Sequence, residues 1–298
     1  MTSQVLLVLN QPSLTAPPHV RGAAPFAFVV VDEPQISVLD LGASRGDGIF
    51  ESISVGAGHP QALEAHVNRF ARSAELLELP APDLVVWRAA IFAAIAELVP
   101  AASGESWVKT VMTRGIEGDD RPTGWVYATH SPDFSAARTD GVSVVTLDRG
   151  YRHDVAQTSP WLLAGAKTLS YAVNRAAVRE AVRRGADDVI FISSDGVVLE
   201  GPTSTVLVLR GNTLSTPDVE LGILAGTTQA TIFDWAMTNG FETEFVRISP
   251  AELATADALW LVSSVRLAAP IRELDGRPMA VDAGLTARLN AHLRAQTS

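Results

Sequence analysis

The spacing of apolar and polar residues along the first 130 positions predicts two helices among short strands. Residues 61–79 place Leu63, Val67, Phe70, Ala74 and Leu77 at three- and four-residue intervals, the pattern of a helix with one buried face. A second helix is predicted over residues 83–98. Short apolar runs predict strands over residues 5–9, 26–32, 107–113 and 125–129 and a strand through Val55, and the proline-rich residues 11–22 predict a loop.

The rest of the chain predicts a second domain in which strands and helices alternate. Residues 131–138 contain Pro132 and small residues and are predicted to link a domain of residues 1–130 to one of residues 139–298. Helices are predicted over residues 170–184, with Ser170 as the cap, 228–238 and 282–296. Strands are predicted over residues 142–147, 189–193, 197–199, 205–210 and 259–262, with a turn at Asp195 and Gly196. The fold class is therefore predicted to be α/β with two domains.

Composition narrows the function to chemistry on small molecules. The 298 residues are 47% hydrophobic, enough for a substantial core, and carry a net charge of −10, which argues against nucleic acid as a partner. No cysteine occurs, which excludes disulfides and thiolate metal sites and suits a cytoplasmic protein. Residues 89–102, the longest apolar region, are interrupted by Glu97 and too short for a membrane span. We predict no metal site and no membrane association.

Lys167 is the first candidate for catalysis. It follows the apolar run Leu-Leu-Ala-Gly-Ala and stands just before a predicted helix. A lysine becomes a nucleophile near neutral pH only where burial or a nearby cation disfavours its charged form, and an apolar approach provides part of that environment. Lys167 is thus a candidate Schiff-base lysine, and the alternative is a lysine whose stem covers apolar surface while its amine stays in water.

Two later features complete a possible cofactor site. Glu200 ends a predicted strand, where its carboxylate needs a positively charged partner. The loop of residues 222–228 contains two glycines and the hydroxyls of Thr227 and Thr228, and it opens a predicted helix. The free N–H groups of a helix N-terminus favour a phosphate. An amine, a carboxylate and a phosphate cradle match the three handles of pyridoxal phosphate.

These segments resemble the class IV (fold type IV) pyridoxal-phosphate enzymes. The matching pieces are Lys-Thr-Leu-Ser-Tyr-Ala-Val-Asn from Lys167, Gly-Ala-Asp-Asp from Gly185, Leu-Glu-Gly-Pro-Thr-Ser from Leu199, and Gly-Ile-Leu-Ala-Gly-Thr-Thr from Gly222. The resemblance implies a D-amino-acid-aminotransferase-like fold with pyridoxal 5'-phosphate in the interdomain cleft. It also implies a homodimer, and a second domain that carries both the Schiff-base lysine and the phosphate cradle.

The resemblance also implies roles for individual residues. Lys167 would bind the cofactor and move the proton at the reacting carbon, and Glu200 would keep the pyridine nitrogen protonated. The phosphate would be bound by Thr227, Thr228 and Arg69, which lies in a His-x-x-Arg sequence with His66. The residue pattern alone favours a solvated helix arginine for Arg69, and His66 is expected to be structural.

Substrate contacts are expected from three arginines. Asp40 to Glu51 resembles the family's Gly-Asp-Gly-x-Phe-Glu segment, with Leu41 and Arg45 departing from its usual residues, and Arg114 belongs to a Thr-Arg-Gly sequence. The Arg-x-His pair of D-amino-acid aminotransferases is missing after it, and Ala43 replaces their tyrosine. Residues 149–153 could line the site or form a polar edge. We expect Arg45, Arg114 and Arg266 to face the substrate.

The end of the chain favours one reaction over another. Ser264, Arg266 and Pro270 match the pattern of aminodeoxychorismate lyases, which is Asn-Ser-Leu-Arg-Gly followed by a proline. The hydroxyl of Ser264 suits a phosphate or a substrate carboxylate, and the alternative for this stretch is an ordinary strand-to-helix turn. The preferred hypothesis is a lyase that converts aminodeoxychorismate to 4-aminobenzoate and pyruvate in folate biosynthesis. The alternatives are an aminotransferase for D-amino acids or branched-chain L-amino acids with 2-oxoglutarate, and a pyridoxal-phosphate-binding protein without catalysis.

Overall fold

The computed structural model describes residues 2–10, 24–102 and 104–297. The loop predicted over residues 11–22 lies outside them. The chain divides into two compact units. The first unit comprises Met1–Pro132, Ala166–Tyr171 and Gln296–Ser298, and the second comprises Asp133–Gly165 and Ala172–Ala295.

The first unit is built on an antiparallel sheet. Its order within the described residues is β2-β1-β6-β5-β3-β4, and every neighbouring pair is antiparallel. Its strands are β1 (Gln4–Leu9), β2 (Phe26–Val29), β3 (Gly48–Gly56), β4 (His59–Pro60), β5 (Glu105–Thr113) and β6 (Thr123–His130). The predicted strands of this half are confirmed, although β2 ends three residues early.

Inward and outward residues alternate along the two central strands. In β3, Ile49, Glu51 and Ile53 are buried, and in β5 their partners Met112, Thr110 and Val108 are buried with them. Successive side chains of a strand point to opposite faces. Along these two strands the inner face is therefore apolar except at Glu51, Thr110 and Ser106, and the outer face presents Phe50 and Lys109.

The helices of the first unit are α1 (Leu41–Arg45), α2 (Leu63–Leu76) and α3 (Leu84–Glu97). The predicted stripe of α2 is buried as expected, but the helix is shorter than residues 61–79. Ala62 before it and Glu78 after it have positive φ angles of 49° and 50°, which a right-handed helix cannot contain. In α3, the Asp83 carboxylate accepts the N–H groups of Val85 and Val86 and so fixes the start.

The second unit contains a mixed sheet. Its order within the described residues is β11-β10-β9-β12-β13-β7-β8, and β14 pairs with β13. The pairs β10–β11, β13–β7 and β7–β8 are parallel and the others antiparallel. The strands are β7 (Val142–Asp148), β8 (Asp188–Ile192), β9 (Thr205–Arg210), β10 (Thr213–Pro217), β11 (Glu242–Val246), β12 (Ala258–Ser263), β13 (Leu267–Leu274) and β14 (Arg277–Pro278).

Helices of the second unit pack on this sheet. They are α4 (Ser135–Thr139), α5 (Val155–Thr158), α6 (Ala172–Arg183), α7 (Thr227–Thr238), α8 (Pro250–Leu253) and α9 (Ala283–Ala295). One apolar cluster joins α7 and α9 to the strands through Trp260, Phe233 and Leu289. The mixed α/β class predicted from the sequence is confirmed. No helix in the described part of the chain is long and apolar enough to cross a membrane.

The division between the units differs from the prediction in two places. Asp133 already belongs to the second unit, and α4 with the buried Arg138 occupies the second half of the predicted linker, residues 131–138. Residues 166–171, with Lys167, cluster with the first unit, whereas the prediction placed them in the second domain. The reason is a backbone pairing that periodicity does not reveal, because residues 167–169 extend along β3.

Three local predictions also differ from the structure. Residues 197–199 do not form the predicted strand, because only Val198 makes an isolated bridge, with Ile192. Ser170 does not cap a helix, since its hydroxyl donates to the Gly46 carbonyl and α6 begins at Ala172. After β12 the chain turns into the antiparallel strand β13, so the alternative of a strand-to-helix turn is wrong.

The loop between β5 and β6 provides a test of backbone fit. Gly115 and Gly118 have nearly equal φ angles of 87° and 88°, but a Cβ at Gly115 would lie 1.9 Å from the Arg121 carbonyl oxygen, whereas one at Gly118 meets nothing within 4 Å. We expect Gly118→Ala to cost about 1–2 kcal/mol, the penalty of a left-handed backbone. Gly115→Ala should lower the midpoint of thermal unfolding several times further. Equal midpoints for the two variants would contradict this packing.

Candidate functional site

The backbone around Lys167 is held by the first unit from two sides. The Phe50 N–H donates to the Lys167 carbonyl at 3.1 Å, and the Leu169 N–H donates to the Gly48 carbonyl at 2.8 Å. The Lys167 N–H donates to Ser73 Oγ on α2 at 3.1 Å. Strand β4 pairs with β3 only at Val55 and Gly56. Residues 167–169 can therefore pair with the beginning of β3 on the same edge. The backbone of Lys167, from which its amine extends, is therefore held in place by hydrogen bonds to β3 and α2.

The side chain of Lys167 lies against an aromatic ring. Its Nζ is 4.4 Å from the centroid of Phe50, a distance at which a cation is attracted to a ring face. Tyr171 packs edge-on against the same ring, with centroids 5.3 Å apart. A half-buried amine on an aromatic surface differs from the solvated amine of the alternative hypothesis.

A buried ionic cluster occupies the inner face of the sheet. Glu51 Oε1 accepts from Arg69 Nε and Glu51 Oε2 accepts from Arg69 Nη2, both at 2.7 Å, and His66 Nδ1 lies 2.7 Å from Oε2. All three side chains are buried. The idea that Arg69 is a solvated helix arginine is wrong, because its guanidinium forms a bidentate pair inside the unit.

Charge and burial determine the protonation of this cluster. Burial alone would raise the pKa of Glu51, but the charge and hydrogen bonds of Arg69, together with His66, hold it well below its usual range. Burial lowers the pKa of His66, against the opposing effect of Glu51 and with smaller lowering effects from Arg69 and Lys167. Glu51 is therefore ionised and His66 neutral near pH 7, with the Nδ1–H of His66 donating to the carboxylate.

Arg114 connects the Gly-Asp-Gly turn to α2. Its Nε donates to the Asp47 carboxylate at 2.6 Å, and its Nη2 and Nη1 donate to the carbonyls of Leu77 and Glu78 at 2.7 and 3.1 Å. This arginine holds the turn before β3 against the end of α2, so its donors are engaged within the protein rather than presented to a substrate. Arg45 is exposed in the last turn of α1.

In the second unit, Glu200 lies against the loop predicted to bind phosphate. Its Oε2 accepts the Leu224 N–H at 3.1 Å, and its carbonyl accepts the Phe191 N–H at 2.8 Å. The carboxylate is thus held between β8 and the glycine-rich loop. Gly201 allows the chain to turn here, since a Cβ would lie 2.4 Å from Ser204 Oγ.

The beginning of α7 has the features of an anion site. Gly226 is the N-cap and contributes no side chain to the free N–H groups, and a Cβ there would lie 2.4 Å from Thr205 Oγ1. Thr227 and Thr228 follow it and are buried. Among the described residues, Gln229 Nε2 and Ser204 Oγ are buried without a hydrogen-bond partner. Buried donors in a native protein are nearly always satisfied, so this region fits a phosphate that accepts several hydrogen bonds.

The turn between β12 and β13 carries Ser264 and Arg266. The carbonyls of Val265 and Arg266 accept from the buried Arg138 at 3.1 and 2.9 Å, and Leu267 has a positive φ of 63°. A non-glycine residue in this conformation costs energy and is commonest at functional sites. Arg138 therefore positions the turn.

Arg266 presents an unfilled edge. Its Nη1 pairs with the buried Asp188 at 2.7 Å, while its Nε and Nη2 are buried and have no hydrogen-bond partner within the described residues. Nε and Nη2 form the edge of a guanidinium that binds a carboxylate or phosphate with two parallel hydrogen bonds. The arrangement suits an anionic ligand.

Residues 149–153 form two separate groups of contacts. Arg149 stacks over the Phe191 ring at 4.6 Å and lies 3.1 Å from the Tyr151 hydroxyl. Arg152 and His153 pair with Asp195 and form a polar edge.

Several residues of these clusters were not predicted: Phe50, Glu51, Arg138, Asp188, Ser204 and Gln229. Glu51 had a recognisable signal, since a carboxylate between Ile49 and Ile53 at inward positions of a strand requires a buried cation. Phe50, Asp188 and Ser204 lie within segments that carry the family resemblance, whereas Arg138 and Gln229 had no signal in the sequence.

The chain matches known proteins over most of its length. Residues 48–274 match the family model described as amino-transferase class IV. A bifunctional aminodeoxychorismate lyase / D-amino acid transaminase of Mycobacterium tuberculosis is 44% identical over 252 residues, covering 82% of this chain and 87% of that protein.

Two solved structures have similar folds. A fold IV transaminase from Curtobacterium pusillum superposes with a TM-score of 0.92 at 57% identity, covering 99% of this chain and 100% of that one. A hypothetical aminotransferase from Mycobacterium tuberculosis in its pyridoxal-phosphate-bound form superposes with a TM-score of 0.89 at 39% identity, covering 98% and 99% of the two chains. The predicted family resemblance and fold are confirmed.

The buried cluster can be tested against an exposed pair of the same geometry. Glu51→Gln leaves the Arg69 charge buried without its partner, which typically costs about 3–5 kcal/mol. Arg88 also forms a bidentate pair with Glu64, at 2.8 and 2.6 Å, but on the surface. Glu64→Gln should therefore change the urea midpoint of unfolding at pH 7 only slightly.

The pH dependence of stability provides a second test of the buried cluster. Because the folded-state pKa of Glu51 is depressed, its stabilisation is present above the ordinary carboxyl pKa and is lost as the pH falls below it. Glu51→Gln should therefore lose stability at pH 7 and show a weaker further loss on acidification than the parent. Equal midpoints for Glu51→Gln and Glu64→Gln would contradict the cluster.

Proposed function

The chain belongs to the class IV aminotransferase family of pyridoxal-phosphate-dependent enzymes, and from this premise we propose that its principal reaction is aminodeoxychorismate lysis. In this reaction the bond between the ring and the enolpyruvyl oxygen breaks, pyruvate leaves, and the ring becomes aromatic as 4-aminobenzoate, a precursor for folate biosynthesis. The relative from Mycobacterium tuberculosis named for this lyase activity supports the proposal.

Lys167 is proposed as the residue that binds the cofactor and moves the proton. Its backbone is held by β3 and α2, so its amine returns to one position after each transfer. Bound pyridoxal phosphate would supply an electron sink for negative charge on the reacting carbon. The amine of Lys167 takes the proton from that carbon. In the lyase reaction this proton does not return to the ring, because the carbon that bears the amine has no hydrogen in 4-aminobenzoate, and a proton is instead delivered to the departing enolpyruvate, which becomes pyruvate.

Glu200 is proposed to keep the pyridine nitrogen protonated. A carboxylate paired with a ring N–H forms a charge-assisted hydrogen bond, which stabilises the protonated ring. Its contact with the Leu224 N–H supports the assignment, because it holds one carboxylate oxygen at a defined place beside the glycine-rich loop.

Four residues are proposed to bind the cofactor phosphate. Thr227 and Thr228 offer hydroxyls and N–H groups at the beginning of α7, and Ser264 offers a third hydroxyl. We retain Arg69 as the cation among them, with Glu51 holding its Nε and Nη2 edge. The unsatisfied donors of Ser204 and Gln229 support a phosphate in this region.

The observation that carries substrate binding is the buried, unfilled edge of Arg266. Its Nε and Nη2 would each donate a hydrogen bond to a substrate carboxylate, while Asp188 pairs with the other side of the guanidinium. Arg45 is retained as an exposed contributor to substrate binding. For Arg114 we propose a positioning role through Asp47, because its donors are engaged.

Transfer of amino groups from D-amino acids is the second candidate function. The same relative is named for both activities, and the structural neighbours include a transaminase. Both reactions begin with removal of a proton from the carbon that bears the amine, and they diverge afterwards. We further propose a cytoplasmic homodimer, for which sedimentation should give about twice the chain mass of 31.6 kDa.

The cofactor assignment is tested by chemical labelling. The chain contains only two lysines, Lys109 and Lys167, so borohydride reduction of the yellow holoenzyme followed by peptide mass spectrometry has few amines to distinguish. We expect the reduced adduct on Lys167. An adduct on Lys109, or none on either lysine, would refute the assignment.

The reaction is tested by parallel assays with Arg266 variants. The parent should form 4-aminobenzoate and pyruvate from aminodeoxychorismate without a keto-acid acceptor; brisk transfer from D-alanine to 2-oxoglutarate without lyase activity would favour the transaminase instead. Arg266→Lys keeps a cation beside Asp188 but loses the two-pronged edge, so kcat/KM should fall by about tenfold or more. The surface variant Arg277→Ala is the control. Equal kinetics for all three proteins would remove the role of Arg266.

A further inference from the structure

The two lysines of this chain meet at one aromatic ring. The chain has 23 basic residues, and all except Lys109 and Lys167 are arginines. Nζ of Lys109 is 5.1 Å from the Phe50 centroid and Nζ of Lys167 is 4.4 Å from it, so the two amines are at most about 10 Å apart. The Lys109 amine thus lies within about 10 Å of the proposed catalytic amine of Lys167.

Strand geometry places Lys109 on the outer face of the sheet. Lys109 pairs with Ser52 on β3 and with Tyr127 on β6, and its side chain lies on the same face as Phe50. Glu51 and its partner Thr110 point to the opposite, buried face. The carboxylate nearest to Lys109 in the sheet is therefore turned away from it and already paired.

The surroundings of the Lys109 amine contain aromatic rings and hydroxyls rather than an acid. Trp107 and Tyr127 stack edge-on at 6.2 Å on this face. Glu105, the nearest acid on the same face of β5, is four residues away, a distance of about 13 Å along a strand. Within the described residues, the amine has no hydrogen bond or ion pair. Burial lowers the pKa of Lys109, as expected for a cation without an anion.

We propose that Lys109 binds a second carboxylate of the substrate and thereby selects dicarboxylic substrates. This inference rests on the proposed function. Aminodeoxychorismate and 2-oxoglutarate each carry two carboxylates, and a single cation binds only one of them. A carboxylate that lies between the two amines and within hydrogen-bonding distance of Lys109 can come within about 7 Å of the Lys167 amine, the reach of a small dicarboxylic acid. Lysine suits the position because its compact charge on a flexible stem can follow the substrate.

The test compares acceptors that differ by one carboxylate. Lys109→Met keeps the length of the stem and removes the charge, so KM for 2-oxoglutarate should rise by about tenfold or more, as expected for loss of a charge-assisted hydrogen bond. KM for pyruvate should change by less than about twofold, because pyruvate lacks the second carboxylate. Lys109→Arg should recover part of the difference. Equal increases for both acceptors would overturn the proposal and indicate a structural effect of Lys109.

A binding measurement separates this proposal from the proposed function. Calorimetry on the holoenzyme would compare glutarate, a dicarboxylate that cannot react, with butyrate. The parent should bind glutarate more tightly, and Lys109→Met should abolish the preference without changing cofactor absorbance or the thermal midpoint. Failure of both turnover assays with this preference intact would sink only the proposed reaction. A parent that binds the two acids equally would overturn the role of Lys109.

Discussion

The pairing of residues 167–169 with the beginning of β3 is the constraint on which the first half of the site depends. Two backbone hydrogen bonds and the contact with Ser73 tie a segment remote in sequence to the sheet. A lysine side chain has several rotatable bonds, so a fixed backbone and an aromatic surface are needed to confine its amine. Phe50 supplies that surface because it belongs to the same strand. The position of the Lys167 backbone thus follows from strand pairing.

The alternation of β3 separates two kinds of charge chemistry. Glu51 points inward and satisfies Arg69 and His66, where a buried ion requires complete pairing. Phe50, one residue earlier, points outward, and the amines of Lys109 and Lys167 both lie over its ring. Because neighbouring residues of a strand face opposite sides, the ionic cluster and the two lysine amines contact residues that are adjacent in sequence but lie on opposite faces of the sheet.

In the second unit, by contrast, several buried hydrogen-bond donors have no partner. Ser204, Gln229 and Arg266 bury donors without partners, although most buried polar groups in proteins are paired. Asp188 and Arg138 meanwhile hold Arg266 and its turn in place. Energy spent on burying donors is recovered when an anion accepts their hydrogen bonds. The pattern is therefore that of a prepared site for anionic ligands.

The sequence by itself determined the α/β class, most strands and helices, and the family, because apolar periodicity and the motifs at Lys167, Leu199 and Gly222 are local features. It also marked Lys167, Glu200 and the glycine-rich loop as candidates. Only the tertiary structure decided that Lys167 pairs with β3, that Arg114 binds Asp47 and that Lys109 shares Phe50 with Lys167. Those contacts join residues tens of positions apart, and the burial that gives each charge its partner or leaves it without one exists only in the folded chain.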